Sequence, residues 1–459
     1  MSKVTMAEAV EIALELLGSD GGVAVGEVSQ ASNLRWANSQ LTTNGSTTDT
    51  TLSVAAFVPV DGGIGCGIGS RQVRTRADIE DLVTESKASA LAGGISEDAA
   101  QLVLGPVHDD FAHGPADADL SGVSHIAQEL GRVMDDDSVQ FFGFAEHALD
   151  TTYVGTSSGT RMRFAQHTSR FELCAKSHER DRSAWSGQGG TSLTSVDVAA
   201  HAATVLRGLE YQKNKICLEP GHHTVTLSPS AVADLMIYMM WTATAREASQ
   251  GRSVFSATAG GTRVGERLSH RQLSVSCDPH LSGLETVDHV VNLGASSLSS
   301  TFDTGLPIGR TSIVKDGVLN ALGSSRFAAQ EAHLPFTPLV DNIEVVDSAG
   351  HGSLEETAAR MGNGLLITCL WYIREVDPQS LLLTGLTRDG VYVVRDGQIV
   401  GAANNFRFND SPVSVLNRVI DAGQAVHCLP REWADWFSRS LVAPLTIEGF
   451  NLSTPSDAI

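Results

Sequence analysis

The first half of the chain mixes helical and alternating patterns of apolar residues, and the second half is dominated by short apolar runs cut by turn signals. Residues 6–17 repeat apolar positions at helical spacing, with Glu8, Glu11 and Glu15 on the other side and Gly18 as a stop. That spacing predicts an amphipathic helix. Residues 22–28 read as a strand, and 34–46 alternate and close on Asn44-Gly45, a pair suited to a hairpin turn. Residues 50–60 form a further strand, turned by Asp61-Gly62-Gly63 into a glycine-rich return strand over 64–71. A helix is expected over 76–91, carrying Ile79, Leu82 and Val83 on its apolar side. After a loop-rich stretch (93–116), another helix covers 123–134 and ends at Asp135-Asp136-Asp137. Strands follow at 140–148, 152–155, 161–167 and 171–176, with a turn at Ser157-Ser158-Gly159, and then a helix at 196–208.

Pro220-Gly221 marks a boundary. Beyond it, residues 231–241 are apolar nearly all round, with Asp234 the one charge, so little of this helix should meet water. Ser228 can cap its start, Pro229 fits its first position, and Gly251 suits a stop after it. Strands are expected at 224–227, 273–277, 311–314, 365–372, 382–387, 391–395, 398–401 and 444–452, with a short helix at 413–420. Three Asp-Gly turns separate several of them: Lys315-Asp316-Gly317, Arg388-Asp389-Gly390 and Arg395-Asp396-Gly397. Such punctuation signals antiparallel hairpins. The fold expected is α+β with mixed and antiparallel sheets. An N-terminal α/β domain (1–219) precedes a strand-rich C-terminal domain (220–459) built on one central buried helix.

Composition narrows the partners. The 459 residues carry 53 acidic and 32 basic side chains, a net charge of −21. An acidic chain lacks the basic face that phosphates require, so neither nucleic acid nor an anionic membrane is an expected partner. The clustered Arg161, Arg163, Arg170, Arg180 and Arg182 read as solvated strand faces. The first residues are amphipathic with acids and form no apolar signal region, which predicts a cytoplasmic protein. The six cysteines are scattered without a C-x-x-C pair, as buried thiols would be.

Candidate chemistry is sparse. Gly65 and Gly67 lack the G-x-G-x-x-G spacing, and the run reads as a strand packed closely against something. His178-Glu179 has Arg182 where a zinc helix needs its second histidine. His222 and His223 are adjacent and would point to opposite faces of a strand. The Asp135-Asp136-Asp137 run is read as a solvated turn before a cation site. In His427-Cys428 the histidine can lower a thiol pKa, but no orienting carboxylate accompanies it. The stretch from Gly155 to Gly159 misses the nucleophile-elbow register.

Taken in order, several segments resemble one family. These are Asp61-Gly62-Gly63-Ile64-Gly65 and its following helix, Tyr153-Val154 through Ser157-Ser158-Gly159, and Thr224-Val225-Thr226-Leu227-Ser228-Pro229. Arg252-Ser253 through Arg263-Val264-Gly265-Glu266-Arg267 and Lys315-Asp316-Gly317-Val318-Leu319 complete the set. The chain resembles the TldD/PmbA family, that of the TldD–TldE peptidase pair. The family's active subunit holds zinc with His-Glu-x-x-x-His on the central helix plus a cysteine near the C-terminus, and the Glu is the general base on a zinc-bound water. The motif falls near Ile237-Tyr238-Met239-Met240-Trp241-Thr242, where no residue plays His or Glu, and no histidine lies between His223 and His270. Cys428 alone matches, as a remnant ligand.

The resemblance therefore implies a TldE/PmbA-like subunit, itself without cofactor, in a heterodimer with a TldD-like zinc subunit. The partner's zinc would cleave small or unfolded peptides, and this chain would supply walls and strand edges for an extended peptide. Arg263, Glu266, Arg407 and Asn409 are the polar groups expected to bind it. Two alternatives stay open. One is a stand-alone non-enzymatic peptide-binding or regulatory protein, as a homodimer, and the other is hydrolysis through Cys428.

Overall fold

The computed structural model describes residues 4–117, 122–135 and 138–456. Helix α1 (Met6–Leu17) is capped reciprocally by Thr5 and Glu8. Then come β1 (Gly22–Ala37), β2 (Gln40–Val60), β3 (Gly63–Arg71), α2 (Arg76–Gly93), α3 (Gly122–Val133), β4 (Gln140–Thr156), β5 (Arg161–Lys176), β6 (Ser183–Gly190) and α4 (Val198–Tyr211). The strands form one antiparallel sheet in the order β3-β2-β1-β4-β5-β6. Ala24, Val28, Leu34 and Trp36 share one face of β1, as the period of two requires. Helices α1 and α2 cover that face at one end through Val10, Ala13, Ile79 and Leu82. Helices α3 and α4 cover it at the other through Ile126, Leu130, Val205 and Leu209. The glycines of β3 follow from this packing: a Cβ on Gly67 would lie 2.2 Å from the Ser86 carbonyl oxygen of α2.

The long strands correct the sequence reading in three places. The β1–β2 turn is Asn38-Ser39, with φ of 51° and 58°, and not Asn44-Gly45. Both turn residues adopt the left-handed conformation of a two-residue hairpin, and Gly45 sits mid-strand opposite Asn33. The pieces expected at 140–148 and 152–155 are one strand, as are 161–167 and 171–176. Leu149, Asp150 and Thr151, between the two expected pieces, continue the pairing because β5 and β1 supply backbone partners on both sides. Strand β6, poor in apolar residues, was not anticipated. Asp136 and Asp137 of the acidic run lie outside the described residues.

The remaining elements are β7 (Lys215–Ile216), β8 (Gly221–Leu227), α5 (Pro229–Thr242), α6 (Ala245–Ser249), β9 (Leu273–Cys277), β10 (Thr311–Lys315), β11 (Val318–Leu319), α7 (Arg326–Ala332), β12 (Ile343–Asp347) and α8 (Leu354–Met361). They continue with β13 (Gly364–Asp377), β14 (Leu382–Arg395), β15 (Gln398–Ala403), β16 (Asn405–Asp410), α9 (Pro412–Asn417), β17 (Val419–Ala422), β18 (Val426–Cys428), β19 (Ser440–Val442) and β20 (Leu445–Ser456). One sheet runs β11-β10-β9-β12-β19-β18. The other runs β13-β8-β20-β16-β14-β15-β7, and β13 also pairs with β14, closing five strands into a ring. Parallel pairs β8–β13, β12–β19 and β7–β15 make both sheets mixed. Helix α5 is buried in the core they share, with Leu235, Met236 and Met239 packed among residues such as Val275, Val345, Leu370 and Val442.

This half brings two corrections. Arg388-Asp389-Gly390 is not a hairpin turn: β14 runs through it, and Thr368 alone lies opposite Asp389 and Gly390. The extra residue is a bulge, with Asp389 at φ 51°. The other two Asp-Gly turns stand, with positive φ at Asp316, Gly317, Asp396 and Gly397. Helix α9 stops at Asn417, and Val419–Ala422 is a strand on β20. The α+β class stands. Lys215–Ile216, placed by sequence in the first domain, pairs with Ala402 and Ala403 of the second. No helix among the described residues is long and apolar enough to cross a membrane.

Candidate functional site at the central helix

Helix α5 is fixed at its start. The Ser228 hydroxyl accepts from the Ala231 amide (3.2 Å) and donates to the Thr368 carbonyl (2.6 Å), and Pro229 holds the first turn. Ser230, Asp234, Tyr238 and Trp241 then recur at spacings of four, four and three, which lays them along one stripe. The stripe faces a strap formed by residues 428–437. The Ser230 hydroxyl donates to the Leu429 carbonyl (2.8 Å). The Asp234 carboxylate accepts from the Glu432 amide (3.1 Å), and the Asp234 carbonyl accepts from Trp433 Nε1 (2.9 Å). Below them, Trp433 packs on Trp241 (5.1 Å) and Tyr238 (5.7 Å), and Phe437 lies 6.3 Å from Trp241.

A charged latch holds the strap. Arg431 pairs with Asp389 at the β14 bulge, and its guanidinium sits 5.1 Å from the Trp185 ring and 5.3 Å from the Trp371 ring. Asp389 also accepts from the Ser183 hydroxyl (2.5 Å), and Arg388 Nε lies 3.2 Å away. Strand β6, strand β14 and the strap thus meet at one buried carboxylate. Burial alone would raise the Asp389 pKa, but Arg431, Ser183 and Arg388 hold it below its ordinary value. Glu432 completes the strap by accepting from the Tyr372 (2.7 Å) and Ile373 (3.0 Å) amides and pairing with Arg374 (3.0 Å).

The stripe opens at its C-terminal end into a cleft of about 380 Å³, walled by Trp241, Thr242, Glu247, Arg252, Ser297 and Glu375. Burial would raise the Glu247 pKa, yet hydrogen bonds from Ser297 (2.6 Å) and Thr244 (2.5 Å) and the charge of Arg252 keep it low, so it is a carboxylate. Deeper in, Asp234 is wholly buried, and only one of its carboxyl oxygens has a partner among the described residues. Burial pushes its pKa well up, against the hydrogen bond from the Glu432 amide, and the Glu432 carboxylate adds a smaller rise.

The residues named from sequence are dispersed. Arg263 and Glu266 pair with each other (2.7 Å through Nε), and Arg263 also donates to the Val254 carbonyl. Arg407 and Asn409 share the outer face of β16, alternating with the buried Phe406, Phe408 and Asp410, and Arg407 donates to Thr384 (3.2 Å). No hydrogen bond or ion pair among the described residues joins the first pair to the second. Cys428 is buried on β18 while His427 is exposed. Burial raises the Cys428 thiol far above its ordinary pKa, with Asp234 adding to it, which disfavours the thiolate that attack would need. Among the clustered arginines, Arg161, Arg163, Arg170 and Arg182 are ion-paired and Arg180 donates to Asn38. His222 and His223 meet backbone carbonyls. The Arg431–Asp389 latch was missed, because Asp389 looked like a turn residue; the pattern Trp-Ala-Asp-Trp-Phe after Arg431 was the available signal.

At the positions where the resemblance puts the zinc motif, Ile237, Met239 and Met240 are buried in the core, and Tyr238 and Trp241 pack on Trp433. The described residues hold no group of three or more His, Cys, Asp or Glu that fits a metal ion. These residues do not fit a zinc ion. The architecture is that of an α+β chain whose central helix is closed over by its own C-terminal strap. The chain belongs to the PmbA/TldD family: residues 220–454 match the PmbA/TldA metallopeptidase C-terminal domain. Its fold is similar to that of TldE from Thermococcus kodakarensis, with a TM-score of 0.77 and 12% identity over 96% of this chain and 99% of that one. Proposed modulators of DNA gyrase from Thermotoga maritima (TM-score 0.75, 13% identity, 98% and 100% covered) and Bacteroides thetaiotaomicron (0.76, 14%, 97% and 98%) share the fold. No curated protein matches the chain at a significant level.

Proposed function

We propose that this chain is the TldE/PmbA-like, non-catalytic subunit of a TldD–TldE-type metallopeptidase in the cytoplasm, acting on small or unfolded peptides. The observation that carries this reading is the stripe Ser230, Asp234, Tyr238, Trp241, sealed by the strap at the place where a catalytic relative needs its ligands. In this reading the zinc belongs to a TldD-like partner, and this chain shapes the chamber. The cleft beside Trp241 and free strand edges receive the peptide backbone. Arg263, Glu266, Arg407 and Asn409 contribute polar contacts at its margins.

Purified alone, the protein should hold no stoichiometric zinc by mass spectrometry and leave an unstructured peptide intact. Mixed with a TldD-like subunit from the same genome, it should co-elute and support cleavage. Tight zinc binding with hydrolysis by the isolated chain would overturn the proposal.

A further inference from the structure

The cleft at the C-terminal end of α5 has a lining of two kinds. Trp241, Leu298 and Pro378 give it apolar wall, and Glu247 and Glu375 bring two carboxylates to it. The carboxylates are not equivalent. Both Glu247 oxygens are taken, one by the Ser297 hydroxyl (2.6 Å) and the other by the Thr244 hydroxyl (2.5 Å), and Arg252 stands 3.7 Å away. Glu375 is exposed on β13, and its carboxylate has no hydrogen bond or ion pair among the described residues. Partial burial and the neighbouring Asp377 raise its pKa above the ordinary value, so a cation beside it would relieve a like-charge contact. The arginines at hand are engaged elsewhere. Arg252 donates to Gln250 (2.5 Å) and faces Glu247, while Arg374 pairs with Glu432 and lies over the Tyr372 ring at 4.4 Å.

Trp241 supplies the other half of a cation site. Its half-buried ring is held by Trp433 and Phe437 and reaches the cleft. An indole is the side chain that attracts a cation best. A cation that meets both groups fits this lining when it arrives on an apolar stem, because Leu298 and Pro378 offer contact without hydrogen bonds. Lysine and arginine side chains have that build, with methylenes that pack and a charged head that stays wet. The volume of about 380 Å³ leaves room beside one such side chain for part of the backbone that carries it. A net charge of −21 favours the same class of ligand by drawing cations to the protein.

We propose that this cleft selects a peptide by one basic residue: a lysine ammonium or arginine guanidinium sits between Glu375 and Trp241, and its stem lies along Leu298 and Pro378. The inference deepens the function proposed above and rests on it for the peptide, but it needs neither zinc nor cleavage.

The test is isothermal titration calorimetry on the isolated full chain with short peptides capped at both ends, alike except for a central lysine, arginine, norleucine or glutamate. The lysine and arginine peptides should bind about 10-fold tighter than the norleucine peptide, and the glutamate peptide weakest. Glu375→Gln should remove most of that preference. Glu375→Lys should reverse the order of lysine and glutamate, with circular dichroism showing both variants folded. Equal affinities for the lysine, norleucine and glutamate peptides, or a lysine preference untouched by Glu375→Gln, would overturn the inference. So would n-butylammonium binding as tightly as the lysine peptide, because the cation would then be a free amine. Failure of the mixed subunits to cleave would overturn the proposed function alone, whereas flat affinities in the isolated chain would overturn this inference alone.

Discussion

At the scale of single residues, Asp234 is the group whose state is set most sharply by its surroundings. It is a carboxyl in the middle of an apolar helix, wholly buried, with one oxygen unpartnered among the described residues. Its pKa is raised above the ordinary 3.8 by burial, which outweighs the hydrogen bond from the Glu432 amide. The folded state thus holds this proton more tightly than the unfolded state. Stability is full below the ordinary value and is lost as the pH rises from there through the folded value. Asp234→Asn should flatten that slope, sparing roughly 1–3 kcal/mol in alkaline urea unfolding relative to the wild type. An unchanged slope would show that the carboxyl keeps a water or cation partner. The sequence displayed Asp234 as the lone charge of the run, which located the anomaly. Its partners could not be read there, because Glu432 and Trp433 lie nearly two hundred residues away in the chain.

At the scale of elements, the latch explains why a bulge interrupts β14. Asp389 needs a left-handed backbone to turn its carboxylate toward Ser183 and Arg431 while the strand keeps pairing on either side. Arg431→Ala leaves that carboxylate buried with only Ser183 and Arg388 as partners, and should cost about 3 kcal/mol. Arg431→Met combined with Asp389→Leu should recover much of the loss, as thermal melting of the single and double variants will show. Asp389 has a depressed folded pKa, so its contribution is present above the ordinary 3.8 and lost as the pH falls through the folded value. Element types were largely legible from period and punctuation; continuity was not. Asp-Gly marks a turn at 316–317 and at 396–397 but a bulge at 389–390. The deciding factor is whether a neighbouring strand goes on supplying hydrogen bonds, which is a tertiary fact. Asn44-Gly45 failed for the same reason, since β1 continues alongside it.

For the whole molecule, net charge and fold pull against one association of its relatives' names. The chain carries a net charge of −21, and its clustered arginines are largely ion-paired. Fluorescence anisotropy with duplex DNA at physiological salt should show no binding by the isolated protein. Saturable binding that weakens steeply with salt would contradict this. The family was visible in the order of weak motifs, whereas the candidate site was visible chiefly as missing ligands, because its strap is assembled from far-apart segments. The same topology constrains how the protein is made. β20, the last strand, lies in the interior of its sheet between β8 and β16. The first sheet is complete once β6 has emerged from the ribosome, but the C-terminal ring stays open until Leu445–Ser456 have followed. Nascent chains stalled before Leu445 should therefore carry a folded N-terminal half and an exposed apolar C-terminal half, making the interval before β20 follows the stage at which a chaperone has most to hold.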